Sequence, residues 1–298
     1  MSNERLDAVV LGHNAFFGVN HLSKQRGAQT EAAFGDVAAI TNMLHTAADH
    51  QVTAMMLSTH PRAAVLAEAV RADRDLVGRF RFYPLLPYVT KYVRQANEKG
   101  IVNVVLDQLK QGGWASGLTM AARGGLAVLT RDHERMLATL IGLELAPLRG
   151  LDIKAVFLHD VLTDLALALD IPSVLELHMV EIRERFGARG GFATKNLPLL
   201  VERFKRYGFE RPLVLAQINK LGFGMNPTRQ HCERSLADSD LQVMAMGTLA
   251  SGYLKPDEAF DYVFSVPRVE SVVVGVSSPA QAAETFRAAI SRTTAAAS

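Results

Sequence analysis

Residues 242–286 read QVMAMGTLASGYLKPDEAFDYVFSVPRVESVVVGVSSPAQAAETF. Two short apolar runs, 242–246 and 271–274, are each followed by a longer segment with apolar residues at three-to-four spacing, 257–264 and 279–290. Compact runs of Val and Met bounded by turn residues are the mark of buried strands, and the spaced segments that of helices packed on one face. Ser278 directly before Pro279 is a helix start signal. The stretch therefore predicts strand, helix, strand, helix, and the Met pair of VMAMG is a strand alternating between two buried layers.

The same alternation runs upstream. Strands are predicted at 8–11, 54–57, 80–86, 155–158 and 213–218, with a weaker one at 191–193, and helices at 36–49, 61–72, 88–98, 132–145 and 197–207. The strand total is about eight, the number of a closed (β/α)8 TIM barrel of class α/β, with one domain over 1–292 and a frayed tail over 293–298. A doubly wound open sheet is the competing fold, but no GxGxxG follows an early strand. Between the third and fourth strands lies a Gly-rich insertion, Ile101 to Thr130, holding Gly112, Gly113, Gly117, Gly124 and Gly125. It is long for a barrel loop and reads as a lid or a subunit contact, or as a surface excursion.

Composition bounds the function. A chain of 298 residues, 49% hydrophobic and 21% charged, buries a full core and is neither disordered nor fibrous. Lys and Arg number 32 against 30 Asp and Glu, too small an excess for a nucleic-acid stripe. The single cysteine, Cys232, excludes an internal disulfide and a thiolate metal cluster. No targeting or membrane-spanning segment is legible, so the expected location is the cytoplasm.

In a barrel the chemistry lies at the carboxyl ends of the strands. Those ends read Gly12-His13-Asn14, Ser58-Thr59-His60, Pro87-Tyr88, His159-Asp160, and Gln217 with Asn219 and Lys220. Three histidines at three strand ends, His13, His60 and His159, are the main feature. They predict either general acid/base groups with Asp160 as orienter, or a divalent metal site made by His13, His60, His159 and Asp160. Metal signatures such as HxH or HExxH are absent, so any ligands would be scattered along the chain. Asn14, Tyr88, Gln217, Asn219 and Lys220 are the expected substrate-holding groups. His21 is a minor candidate, while His45, His50, His133 and His178 read as surface or packing residues. No GxSxG supports a serine nucleophile, and the neighbours His231 and Cys232 do not make a Cys/His pair.

The segment over 242–286 resembles the last two β/α units of the aldo-keto reductases. GGFATKNLPLLVERFKRYGFERPLVLAQIN, residues 190–219, resembles their fifth strand, helix and sixth strand, with Gln217 at the position of the family's nicotinamide-binding Gln. AVFLHD resembles the strand that ends in the family's catalytic His, here His159, and VLGHNAFFGVNHLS the first strand and loop. The resemblance implies a reductase barrel using NAD(P)H, with Thr194, Gln217, Gly247, Leu249, Gly275, Ser277, Ser278 and Glu284 on the cofactor. Departures from the family pattern are specific. Ser58 or Leu57 stands in place of its Asp, Ala63 in place of its Tyr, and no Lys follows the third strand unless Tyr88 and Lys91 form a displaced pair. Met246 replaces the aromatic platform, and no Arg or Lys between Gly275 and Thr285 meets a 2′-phosphate.

Three functions follow as expectations. The leading one is a small-molecule enzyme doing histidine-centred acid/base chemistry, with or without a metal, as a lyase, isomerase or hydrolase on a polar or carbonyl-bearing substrate. The alternative is a divergent NAD(P)H-dependent aldo/keto oxidoreductase. The third is a non-catalytic binding or assembly subunit. A small-molecule substrate is the expected partner, with neither nucleic acid nor membrane, and a homo-oligomer is compatible with the sequence.

Overall fold

The computed structural model describes residues 5–18, 33–88 and 133–295. The insertion over 101–130, His21, Lys91 and the part of the helix expected beyond Tyr88 lie outside the described residues. Nine parallel strands are present among them: β1 (Val9–Leu11), β2 (Ala54–Ser58), β3 (Arg81–Leu86), β4 (Asp152–Ile153), β5 (Ala155–Leu158), β6 (Arg189–Thr194), β7 (Leu213–Gln217), β8 (Gln242–Met246) and β9 (Val269–Val274). Eight of them close a ring, because β1 pairs with both β2 and β9 and the chain of pairings β2–β3–β5–β6–β7–β8–β9 returns to it. The two-residue β4 only extends the edge of β3. The closed (β/α)8 barrel expected from the sequence is therefore the observed fold.

Side-chain parity builds the barrel in two layers. Val10, Ala54, Met56, Tyr83, Ala155, Phe157, Ala193, Leu213, Leu215 and Met244 fill the inside, while their strand neighbours, such as Val156, Val214 and Ala216, pack outward against the helices. The helices are α1 (Val37–Asp49), α2 (Arg62–Ala72), α3 (Arg74–Arg79), α4 (His133–Leu145), α5 (Asp160–Ala168), α6 (Pro172–Phe186), α7 (Leu197–Tyr207), α8 (Arg229–Ala237), α9 (Pro256–Val263) and α10 (Pro279–Ala295). Asp36 caps α1 by accepting from Ala38 N at 3.0 Å, and Thr228 caps α8 by accepting from His231 N at 3.2 Å.

The structure departs from the sequence reading in its helices. α3, α5 and α8 were not expected, and of α6 only a helical pattern around His178 was: α5 starts on the strand-end His159 itself, and α8 buries only Cys232 and Leu236, too few apolar positions to show a period. α10 continues to Ala295, where a tail was expected from residue 293; Thr293 Oγ1 returns to the Ile290 carbonyl at 2.8 Å. Burial pushes the Cys232 thiol up to about 11, in keeping with an inert core group.

The weak strand signal at β6 has a steric origin. A Cβ on Gly190 would lie 2.8 Å from Met179 Cα, and one on Gly191 the same 2.8 Å from the Phe157 ring. Gly190 thus lets the α6 backbone close on the sheet, and Gly191 leaves the barrel interior to Phe157. His178 completes this contact. It is fully buried on α6, with Nε2 2.9 Å from the Val156 carbonyl and its ring edge-on to Phe192. Gly190→Ala is expected to destabilise the fold by about 1–3 kcal/mol, since a helix backbone must move to admit the methyl group. Chemical denaturation checks this, and an unchanged midpoint would refute the packing argument.

Candidate functional site

Parity also determines which strand-end residues face the mouth. Extending the inward series 155, 157 reaches His159; 213, 215 reaches Gln217; 191, 193 reaches Lys195; and 244 reaches Met246. His159 Nδ1 lies 2.5 Å from Asp160 Oδ1, and Lys195 Nζ lies 3.8 Å from Asp160 Oδ2. With the Gln217 amide turned so that its nitrogen donates to the Phe223 carbonyl at 2.9 Å, its oxygen accepts from Lys195 Nζ at 2.8 Å. His159, Asp160, Lys195 and Gln217 thus form one connected polar group at the ends of β5, β6 and β7.

Burial alone would raise the Asp160 carboxyl, but the His159 ring, Lys195 and the Val161 amide outweigh it and hold it below its ordinary range. An ionised Asp160 beside Nδ1 fixes that nitrogen as the protonated one and leaves Nε2 to exchange a proton. The Val161 amide, 3.3 Å from Nδ1 and 3.1 Å from Asp160 Oδ1, is left to the carboxylate. One turn further along α5, burial raises the Asp164 carboxyl, although it accepts from Thr194 Oγ1 at 2.6 Å and from Lys195 N at 2.9 Å. Those two contacts fasten the end of β6 to α5 and aim Lys195.

His13 and His60 are linked through an aromatic residue. The Phe17 ring stacks on His60 at 4.6 Å and tilts against His13 at 5.6 Å, while the Tyr88 ring meets His60 edge-on at 4.8 Å. Burial lowers His13 to about 4, with repulsion from His60 and His159 adding to it against the Met56 carbonyl. His60 Nδ1 accepts from Arg62 N at 3.1 Å. The Arg62 guanidinium holds the loop after β1 in place by donating to the carbonyls of Phe16, at 2.9 Å, Gly35, at 3.1 Å, and Phe34. Tyr88 is anchored by its backbone amide, which donates to Thr59 Oγ1 at 3.1 Å and to buried Glu144 at 3.2 Å.

Other expected residues have different duties. Asn219 is fully buried and exchanges both ends of its amide with the Phe223 backbone, at 2.8 and 2.9 Å, so it staples the loop after β7. Lys220 pairs with Glu258 at 2.7 Å, and Asn14 opens a one-turn helix over Asn14–Phe17. Thr194 lies on the helix side of β6, bonded to Asp164. A metal ion fits poorly: among the described residues no three of His, Cys, Asp or Glu converge as ligands, and the Phe17 ring packs against both His13 and His60. The metal expectation for His13, His60, His159 and Asp160 is therefore not carried forward.

Lys195, Asp164, Phe17 and Arg62 were missed in the sequence. Lys195 follows an Ala-Thr strand end too weak to fix its boundary, and only the interior parity of β6 picks it out. Gly224 was missed as well. Its φ is +70°, and a Cβ there would lie 1.6 Å from the end of the Gln217 side-chain amide, so only glycine lets Gln217 sit where it does.

No family model and no curated protein matches the sequence. Solved structures do match its fold. A Pseudomonas aeruginosa protein assigned to the aldo-keto reductases aligns over 95% of this chain and 90% of its own, at 17% identity and a TM-score of 0.59. The aldo-keto reductase AKR11C1 from Bacillus halodurans, in its holo form, aligns over 94% and 85% at 11% identity and a TM-score of 0.56. A protein assigned as 2,5-diketo-D-gluconic acid reductase B aligns over 97% and 86% at 11% identity and a TM-score of 0.54. The chain therefore has the (β/α)8 barrel of the aldo-keto reductase type. No helix among the described residues is long and apolar enough to cross a membrane.

Two buried histidines set a pH dependence. Burial lowers both His13 and His178 from 6.5 to about 4, so each is neutral in the folded chain at a pH where the unfolded chain protonates it. Stability is then full above about pH 6.5 and falls as pH drops toward 4, by on the order of 3 kcal/mol per residue. Urea denaturation between pH 7 and pH 5 is expected to show this slope, reduced in His178→Gln. Equal slopes in the two proteins would contradict it.

Proposed function

We propose that this chain is a nicotinamide-dependent oxidoreductase acting on a small carbonyl or hydroxyl compound, with His159 exchanging the proton. The observation that carries the proposal is the His159–Asp160–Lys195–Gln217 group at the mouth of a barrel of the reductase type. The shared shape over most of each reductase's length supports oxidoreduction over the non-redox lyase, isomerase or hydrolase chemistry that the sequence put first. Fold alone does not assign a reaction, which is why the proposal rests on the strand-end group.

The residues present fit a dinucleotide that lacks a 2′-phosphate. Gly247 is exposed at the end of β8, where a Cβ would meet Gln217 at 3.6 Å, and Ala250, Ser251 and Gly252 follow with φ of +46°, +58° and +91°. Gly275 has open space around it and leads to Ser277 and Ser278 at the N-terminus of α10. Gln217, Leu249 and, further along α10, Glu284 complete the set that would hold the group. Gln281, whose oxygen accepts from Ser277 at 2.8 Å, is neutral and offers a 2′-phosphate no cation.

When bound, the nicotinamide supplies or takes the hydride at the substrate carbon. The chain's own residues handle the proton. In the reducing direction, Nε2–H of the His159 imidazolium donates to the carbonyl oxygen as that carbon becomes an alcohol, and Nε2 takes the proton back in the oxidising direction. Ionised Asp160 keeps the ring in register through Nδ1, and Lys195 in turn helps to keep Asp160 ionised. Neutral, buried His13 brings no positive charge to compete with it.

Calorimetric titration with NADH and NADPH tests the reading. Saturable micromolar binding, about −8 kcal/mol, is expected with NADH favoured. His159→Ala is expected to lower kcat about 10²–10⁴-fold on a reactive aldehyde while retaining cofactor binding and the folded spectrum. Absence of binding by either nucleotide would overturn the proposal and return the histidine to non-redox chemistry.

A further inference from the structure

The opposite end of the barrel holds a cavity of about 170 Å³ that the proposed reaction does not use. It opens at the amino ends of the strands and is lined by Arg5, Asp7, Arg81, Tyr83, Lys154 and Arg189, with Leu6 and Ala155. Arg81 and Arg189 are the first residues of β3 and β6, and Lys154 precedes β5, so three neighbouring strands of the ring each deliver a cation to the same opening. Four positive side chains stand against one carboxylate among the described lining residues.

That carboxylate is already committed. Asp7 accepts from the Tyr83 hydroxyl at 2.7 Å and pairs with Arg81. Burial and the adjacent Asp7 push the Tyr83 hydroxyl up, so it is a permanent donor. Arg81 gives one terminal nitrogen to Asp7 and Thr53, while its Nε is buried with no hydrogen-bond partner. Arg189 donates to the Gln242 side chain and the Arg211 carbonyl, and burial with the nearby Arg211 outweighs Glu270 in lowering it from its ordinary value. Lys154 lies 3.6 Å from Asp152, outside the cavity lining. The result is a concave, positively charged floor. Guanidinium groups present fixed forks that match tetrahedral oxyanions.

We infer that this cavity is a binding site for a phosphate group, either the free ion or the terminal phosphate of a small monoester, separate from the strand-end mouth. A dianion matches the excess of cations better than a single carboxylate does, and the volume admits one phosphate with little else.

Calorimetry in a chloride buffer, with inorganic phosphate in one arm and glycerol 3-phosphate in the other, tests the inference. One saturable site is expected, weakened at least tenfold by Arg5→Gln and by Lys154→Met, two substitutions that leave the Asp7–Arg81 pair intact. Thermal denaturation confirms that both variants are folded. Tighter binding of the monoester identifies a phosphorylated metabolite as the natural occupant, and tighter binding of phosphate identifies the free ion. Unchanged binding in His159→Ala separates this site from the mouth. The inference is overturned by the absence of saturable binding in both arms, by affinities that neither variant alters, or by loss of binding in His159→Ala alone.

Discussion

A ring of eight parallel strands encloses a space with no solvent to fill it, and the rest of the molecule follows from the need to fill that space with side chains. Phe157, Met56, Met244, Leu213, Leu215 and Tyr83 do so here. Glycine in β6 is required where the Phe157 ring swings across. Because the middle is packed, polar chemistry is confined to the two ends, and the same period of two that buries Leu215 carries Gln217 to the mouth. Core and site are thus one constraint seen at different heights along the strands.

The division explains what could be read in the sequence. Strands buried on both faces are continuous apolar runs, so β5, β7 and β8 were legible almost to the residue. β6 was faint because its two glycines serve close approach rather than hydrophobicity. The helices over 160–168 and 229–237 were missed because one follows its strand without a loop and the other shows solvent a nearly polar surface. His159 and Asp160 were legible because a strict strand end precedes them. Lys195 was not, since its strand had no clear end from which to count.

The residues just past the strands are read less directly. Asn219 and Lys220 look like mouth residues in one dimension, but the loop after β7 turns back on itself. The Asn219 amide is consumed by the Phe223 backbone, and Lys220 reaches α9. Which polar groups remain for a ligand depends on what the backbone has already claimed, and this is set by loop geometry that composition does not encode. The pairing of Asp160 with His159 escapes this limit because the two are adjacent in the chain.

The contact between Gln217 and Gly224 reaches beyond the local turn. The side chain of Gln217 occupies the volume that any side chain at 224 would need, so 224 cannot change while Gln217 keeps its place. A methyl group at 224 displaces the Gln217 amide and adds the strain of a left-handed φ, and a displaced or shortened 217 leaves Lys195 Nζ without its amide partner. The three positions therefore behave as one inherited unit. Among related sequences they are expected to vary together, marking lineages in which the mouth of the barrel was rebuilt as a whole.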